Sequence, residues 1–230
     1  MNNIIKIYNR LINVYVKQRF LLICLVVQNT ILSLIILIFA NNIISNGKSS
    51  GELDYFMIQN FYTLAIFSLF FIICFYAPIL LSNTLNGLHK KNIIEHFLSV
   101  KISISEIVYA VYFRGLYTLI ILLISALPIV SISFYFGGFG LIKLLKLLVI
   151  LICFAIFSST LCLFISTTIF DVNASIIVAY IFTSIFGILH LISLNVLLNS
   201  RIILVIYVIF DIILSLILLS ISSKTKIFSA

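Results

Sequence analysis

The chain has 230 residues, of which 63% are hydrophobic and only 9% charged, with a formal net charge of +8. A soluble domain carries about 25% charged residues, so water is not the main solvent of this chain, and no polar stretch is long enough to form a separate soluble domain. The basic residues stand in short groups between long apolar runs, a pattern of membrane orientation and not of nucleic-acid binding.

In lipid every backbone polar group must be paired within a helix or a closed barrel. The apolar runs here far exceed the roughly 10-residue alternating strands of a barrel. The expectation is therefore an all-α membrane protein: one domain over 1–230 with six transmembrane helices, an N-terminal amphipathic interfacial helix and a cytosolic helix between spans two and three.

Residues 1–19 precede the first span. Lys6, Asn9, Arg10, Asn13 and Lys17 recur at helical steps opposite Ile4, Ile7, Tyr8, Leu11, Ile12 and Tyr15, the signature of a helix lying in the interface. The long basic region, full-length apolar run and missing small-residue cleavage site argue against a cleavable signal peptide. The first span is expected over about 20–44, with Gln28, Asn29 and Thr30 forming a polar notch turned toward other helices. An outer loop from Ser45 to Asp54 follows. Within it Gly47-Lys48-Ser49 imitates the tail of a phosphate-binding loop, but Asn42 stands where that motif needs glycine and no strand precedes it.

The second span is expected over 56–81, with Pro78 near its end predicting a kink. A two-faced helix is expected over 86–100. On it Ile93, Ile94, Phe97 and Leu98 gather on one side, with Lys90, Lys91 and Glu95 largely elsewhere. It suits a groove in a soluble partner, or a resting place on the membrane surface. Lys101 to Glu106 reads as a linker, and span three as 107–136, carrying Arg114 near the inner interface or snorkelling toward it, and Pro128. Gly137-Gly138-Phe139-Gly140 forms an outer turn, and Lys143 and Lys146 precede span four, 147–170. Asp171-Val172-Asn173 is a short inner turn suited to capping span five, which runs over 174–192 and fades from His190 onward. Span six covers 202–222. With the N-terminus inside, ten of the fourteen basic residues fall on the cytosolic side (Lys6, Arg10, Lys17, Arg19, Lys90, Lys91, Lys101, Arg114, Lys224 and Lys226). Loop Lys/Arg bias thus favours cytosolic N- and C-termini.

Asp211 sits midway through span six, where a carboxylate is costly and faces protein or water. It reads first as a structural hydrogen bond to Tyr207 or to a neighbouring helix, with a substrate path or a proton carrier as alternatives. His190 reads as structural, near the outer interface. Cys24, Cys74, Cys153 and Cys162 lie inside apolar runs without a CxxC pair and read as small hydrophobes. His89 and His96 lack the Cys or carboxylate partners of a metal site, and no motif of an intramembrane hydrolase is found. The chain is expected not to be an enzyme and to hold no cofactor.

Several stretches together resemble a known family. Ile94-Glu95-His96-Phe97-Leu98-Ser99-Val100 followed by Ile104-Ser105-Glu106-Ile107, the hydroxyl-rich Ser158-Ser159-Thr160 and Ser166-Thr167-Thr168, and Phe170-Asp171 are similar to the permease subunits of type-2 ABC exporters. The resemblance implies a bacterial plasma-membrane permease working as a homo- or heterodimer with cytosolic ABC ATPase subunits that hold ATP and Mg. The helix over 86–100 would then be the coupling helix. Lys90, Lys91, Ile93, Ile94, Glu95, Phe97 and Leu98 would contact the ATPase, and Asp171 and Asn173 would make a minor second contact. The region Gly187 to Arg201 is short for the two re-entrant helices common in that family. Gln28, Asn29 and Asp211 are the candidate pathway or inter-helix polar residues. The apolar path suits an amphipathic, lipid-like or peptide cargo. The other readings are a small-ligand-binding component of an uptake system and an accessory or immunity membrane protein.

Overall fold

The computed structural model describes residues 18–50, 55–90, 103–135, 141–169 and 171–224. Nearly all of them are helical: α1 (Gln18–Ser50), α2 (Tyr55–Lys90), α3 (Ile104–Tyr135), α4 (Leu141–Thr168), α5 (Val172–Asn199) and α6 (Arg201–Lys224). Each of the six is long and apolar enough to cross a membrane. Apart from Gln18 and Arg19, which begin α1, the expected interfacial helix over 1–19 lies outside the described residues.

Successive helices run antiparallel, as contacts at both ends show. At one end Asn86 near the close of α2 meets Ile169 and Ser175, which flank the α4–α5 turn. At the other, the Lys146 ammonium near the start of α4 donates to the Leu198 carbonyl near the close of α5 at 2.6 Å. A cation there satisfies a free carbonyl and complements the helix dipole. These two levels are called below the Asp171 end and the Ser200 end.

The centre of the bundle is α4, with 72% of its membrane stretch buried, against 17% for α1 and for α6. Phe154 of α4 packs on Phe70 of α2 at 5.3 Å between ring centroids, and Phe157 meets Phe186 of α5 edge-on at 5.0 Å. The outer faces of α1 and α6 carry exposed Leu22, Val26, Ile38, Ile202, Val205 and Ile209, as lipid-facing surfaces do. Because lipid is as apolar as leucine, close packing and inter-helix hydrogen bonds hold such a bundle together. Two glycines permit the closest approaches: Gly115 of α3 against the Leu81 side chain of α2, and Gly187 of α5 against Cys74 of α2.

The helices outrun the expected spans. The first continues through Ser45 to Ser50, so the expected outer loop from Ser45 is helical over that part, and Lys48 lies in the last helical turn instead of a phosphate-cradling loop. Pro78 and Pro128 lie within α2 and α3 without ending them. Lys143 and Lys146 belong to α4, which starts at Leu141 and not at 147. The stretch from His190 to Asn199, expected to fade, completes α5, and Ser200 alone joins it to α6. Re-entrant helices therefore do not occur between the fifth and sixth helices.

The start of α3 corrects the linker reading. Ser103 Oγ accepts from the Glu106 backbone N–H at 3.3 Å, and Glu106 Oε2 accepts from the Ser103 backbone N–H at 3.0 Å. This reciprocal pair is a capping box, so the helix begins at Ile104 and Glu106 belongs to its first turn. Ser103→Ala is expected to lower stability by about 1 kcal/mol, read as a reduced unfolding midpoint of the purified chain in detergent.

Candidate functional site

Polar side chains inside this apolar bundle fall into two groups. The first ties together the Asp171 end. Ser82 of α2 donates to the Cys162 carbonyl of α4 at 3.3 Å. One turn on, the Asn86 amide donates to Ser175 Oγ at 2.7 Å and to the Ile169 carbonyl at 3.2 Å. Ser175 in turn donates to the Val172 carbonyl at 3.0 Å. Asp171 caps α5 by accepting the Ala174 N–H at 3.0 Å. Asn86, Ser82 and Ser175 are all buried, whereas Asp171 and Asn173 are exposed at the bundle's end.

This arrangement corrects the expected start of the coupling helix. Residues 86–90 continue α2 without a break, because Ser82 and Asn86 find partners on neighbouring helices and the polar stretch needs no loop. Lys90 is the last residue of α2. Lys91, Ile93, Ile94, Glu95, Phe97 and Leu98 lie outside the described residues. Of the residues expected to meet an ATPase, Asp171 and Asn173 thus share the end of the bundle at which α2 finishes. Ser82, Asn86 and Ser175 were not singled out individually; isolated Ser and Asn in apolar helices were the available signal.

The second group lies deep in the bundle. The Gln28 amide of α1 donates to the Leu122 carbonyl of α3 at 3.1 Å, so this residue does face another helix. Asn29 is half-buried with its carbonyl oxygen unpartnered, while Thr30 is exposed and bonded back to the Val27 carbonyl at 2.9 Å. The expected notch is therefore split: one helical turn cannot aim three consecutive side chains at one neighbour. Arg114 is buried, only 5% exposed, and does not snorkel outward.

Asp211 is buried and pairs with a neighbouring helix: Nε2 of His190 on α5 lies 3.3 Å from its Oδ2. The other ring nitrogen, Nδ1, is 2.7 Å from the Phe186 carbonyl. Ten residues lie between His190 and Arg201, and nine between Arg201 and Asp211. At 1.5 Å per residue both stand about 15 Å from the Ser200 end, and since α5 continues a further nine residues past His190 to Asn199 the two residues lie level on adjacent helices. Phe154 and Tyr207 pack on the imidazole at 4.6 and 5.3 Å between centroids, and Phe157 stacks at 6.2 Å. The Tyr207 hydroxyl is buried beside the same carboxylate without a well-formed hydrogen bond of its own.

The hydroxyls of α4 are turned inward on their own helix: Ser158 and Ser159 donate to the Ala155 carbonyl, Thr160 to Phe157, Ser166 to Leu163 and Thr167 to Phe164. Among the described residues no group of three His, Cys, Asp or Glu side chains is placed to hold a metal ion. Comparison of the chain with protein-family models, with characterised proteins and with solved structures gives no match.

Proposed function

We propose that this chain is the membrane-spanning permease subunit of an ATP-driven exporter, worked by separate cytosolic ATPase subunits and paired with a second permease copy. The observation that carries the reading is the Asn86 junction. A push on the segment that follows Lys90 reaches a continuous helix whose last turns are bonded through Asn86 to the α4–α5 turn. The close of α2 at Lys90 and the start of α5, where Asp171 is the cap and Asn173 lies in the first helical turn, are thereby joined beside the two places where an ATPase would touch this chain.

Helices transmit displacement along their axes because every turn is internally bonded. Movement of α2 would be passed to α3 through the Gly115–Leu81 contact and to α5 through Gly187 and Cys74. ATP and Mg belong to the partner; this chain supplies the apolar path and performs no bond chemistry. Its apolar lining suits an amphipathic, lipid-like or peptide cargo. The single-residue join at Ser200 departs from the re-entrant pattern of type-2 ABC exporters, so the coupling end, and not the α5–α6 region, supports the reading.

The test is purification of the tagged chain from its native membrane in mild detergent. A stoichiometric cytosolic ATPase, whose hydrolysis is stimulated by the wild-type chain and not by a Phe97→Asp variant that still purifies folded, is the expected result. A chain that emerges alone, after crosslinking as well, overturns the reading.

A further inference from the structure

The His190–Asp211 contact has a proton count that its geometry dictates. The Phe186 carbonyl offers only lone pairs, so the short contact at 2.7 Å requires the proton on Nδ1. A neutral ring with its proton there presents a bare lone pair at Nε2, and an ionised carboxylate is acceptor-only. The 3.3 Å approach of Nε2 to Asp211 Oδ2 is then attractive only when one more proton lies between them, on the ring or on the carboxyl. Either placement makes the pair electrically neutral, the less costly state for a buried site.

We propose that His190 and Asp211 form a buried binding site between helices for one exchangeable proton, whose occupancy sets how α5 and α6 pack. Loss of the proton turns the contact into a carboxylate facing a lone pair. The structure holds a second donor ready for that state: the Tyr207 hydroxyl, buried beside Asp211 and otherwise unbonded. Proton release thus exchanges an α5–α6 hydrogen bond for one within α6 and frees His190 from its partner helix.

The groups facing the site come from every helix around it. From α4 these are the Cys153 thiol, within electrostatic reach of Asp211, and the Phe154 and Phe157 rings. From α2, Cys74 lies beside Gly187, one turn of α5 from His190, and is itself bonded to the Thr183 carbonyl at 3.4 Å. The buried cation of α3, Arg114, is engaged in interactions of its own. The inference uses α4, α5 and α6 only and stands whether or not an ATPase partner exists.

The experiment is nitrogen-15 NMR of the full chain in lipid nanodiscs, in a His89→Gln/His96→Gln background that leaves His190 the sole imidazole. Between about pH 2.5 and about pH 10, a span bracketing the carboxyl and imidazole reference values, the Nε2 resonance should move through one titration while Nδ1 stays protonated. Asp211→Asn, whose neutral amide can donate to the bare Nε2 but cannot offset an imidazolium charge, should move that titration to markedly lower pH. A His190 spectrum that is unchanged over the whole range in the otherwise wild-type chain makes the pair a static strut and overturns the proposal. So does a titration at unchanged pH in a folded Asp211→Asn protein.

Discussion

Replacing His190 by leucine is expected to destabilise the bundle by about 3–5 kcal/mol, the loss associated with stripping one partner from a buried ionisable pair. Asp211 would remain 4% exposed with the Tyr207 hydroxyl as a neighbouring donor. It would have to carry a charge in hydrocarbon or take up a proton and stand as an isolated acid. The reverse change, Asp211→Leu, should be milder, about 1–3 kcal/mol. The neutral imidazole keeps its Nδ1 bond to the Phe186 carbonyl and its packing on Phe154 and Tyr207, losing only the partner of Nε2. The double leucine variant should lie well below the sum, because no polar group is then stranded. Unfolding midpoints of the three variants in mixed micelles give the comparison. Equal losses in both single variants, adding in the double, would mean that the two residues act separately and that the 3.3 Å contact contributes nothing.

That pair shows where sequence reading stops. The six apolar runs were legible because lipid demands about 20 continuous apolar residues of any helix that spans it, and the same requirement made the helical class certain from composition. Helix ends were not legible from hydropathy. A helix need not stop where the bilayer does, and α1, α2 and α5 continue to Ser50, Lys90 and Asn199 past the points where the apolar pattern weakens. The error at α5 then hid the pairing. With the fifth span fading at His190, nothing placed that residue opposite Asp211. Once the turn is at Ser200, their near-equal spacing from it brings them level on adjacent antiparallel helices. The Ser103–Glu106 capping box, by contrast, was written in the sequence as Ser-Xaa-Xaa-Glu ahead of an apolar run.

The candidate site divides along the same line. Asp171 was readable as a cap because its chemistry is local: a side-chain oxygen reaching an N–H three residues on. The role of Asn86 was not, since its partners Ile169 and Ser175 lie 83 and 89 residues away. Such long-range bonds are also what turns separate helices into a mechanical unit. A bundle held together by lipid-like packing alone would let α2 slide. The Asn86 amide shared with the α4–α5 turn, together with the Ser82 and Cys74 bonds to α4 and α5, resists both sliding and rotation.

The close approach of α2 and α3 is the other point on which that rigidity depends, and Gly115→Val is expected to damage it most. Even a single Cβ at Gly115 would lie 2.7 Å from Leu81 Cγ and overlap a terminal methyl of the same side chain. Leu81 is fully buried, so it has no empty space into which to retreat. Valine adds two more carbons, and the helices must part. Overpacking of this kind costs typically 1–3 kcal/mol and sometimes more, and valine falls at the upper end. At Gly187 the added Cβ meets the tip of the Cys74 side chain at 2.7 Å and Phe154 at an ordinary 3.5 Å, and the thiol can turn away by rotation about χ1 at the expense of its weak bond to the Thr183 carbonyl. There Gly→Ala also recovers up to about 1 kcal/mol of helix propensity, so Gly187→Ala should be near neutral. The decisive comparison is a rescue. Leu81→Ala alone opens a cavity and destabilises, yet in Gly115→Ala/Leu81→Ala the new methyl fills part of the space vacated. The double variant should therefore be more stable than the sum of the singles by about 0.5–3 kcal/mol. Strict additivity would show that α2 and α3 do not meet at these two residues, and with that contact would go the route by which α2 is proposed to move α3.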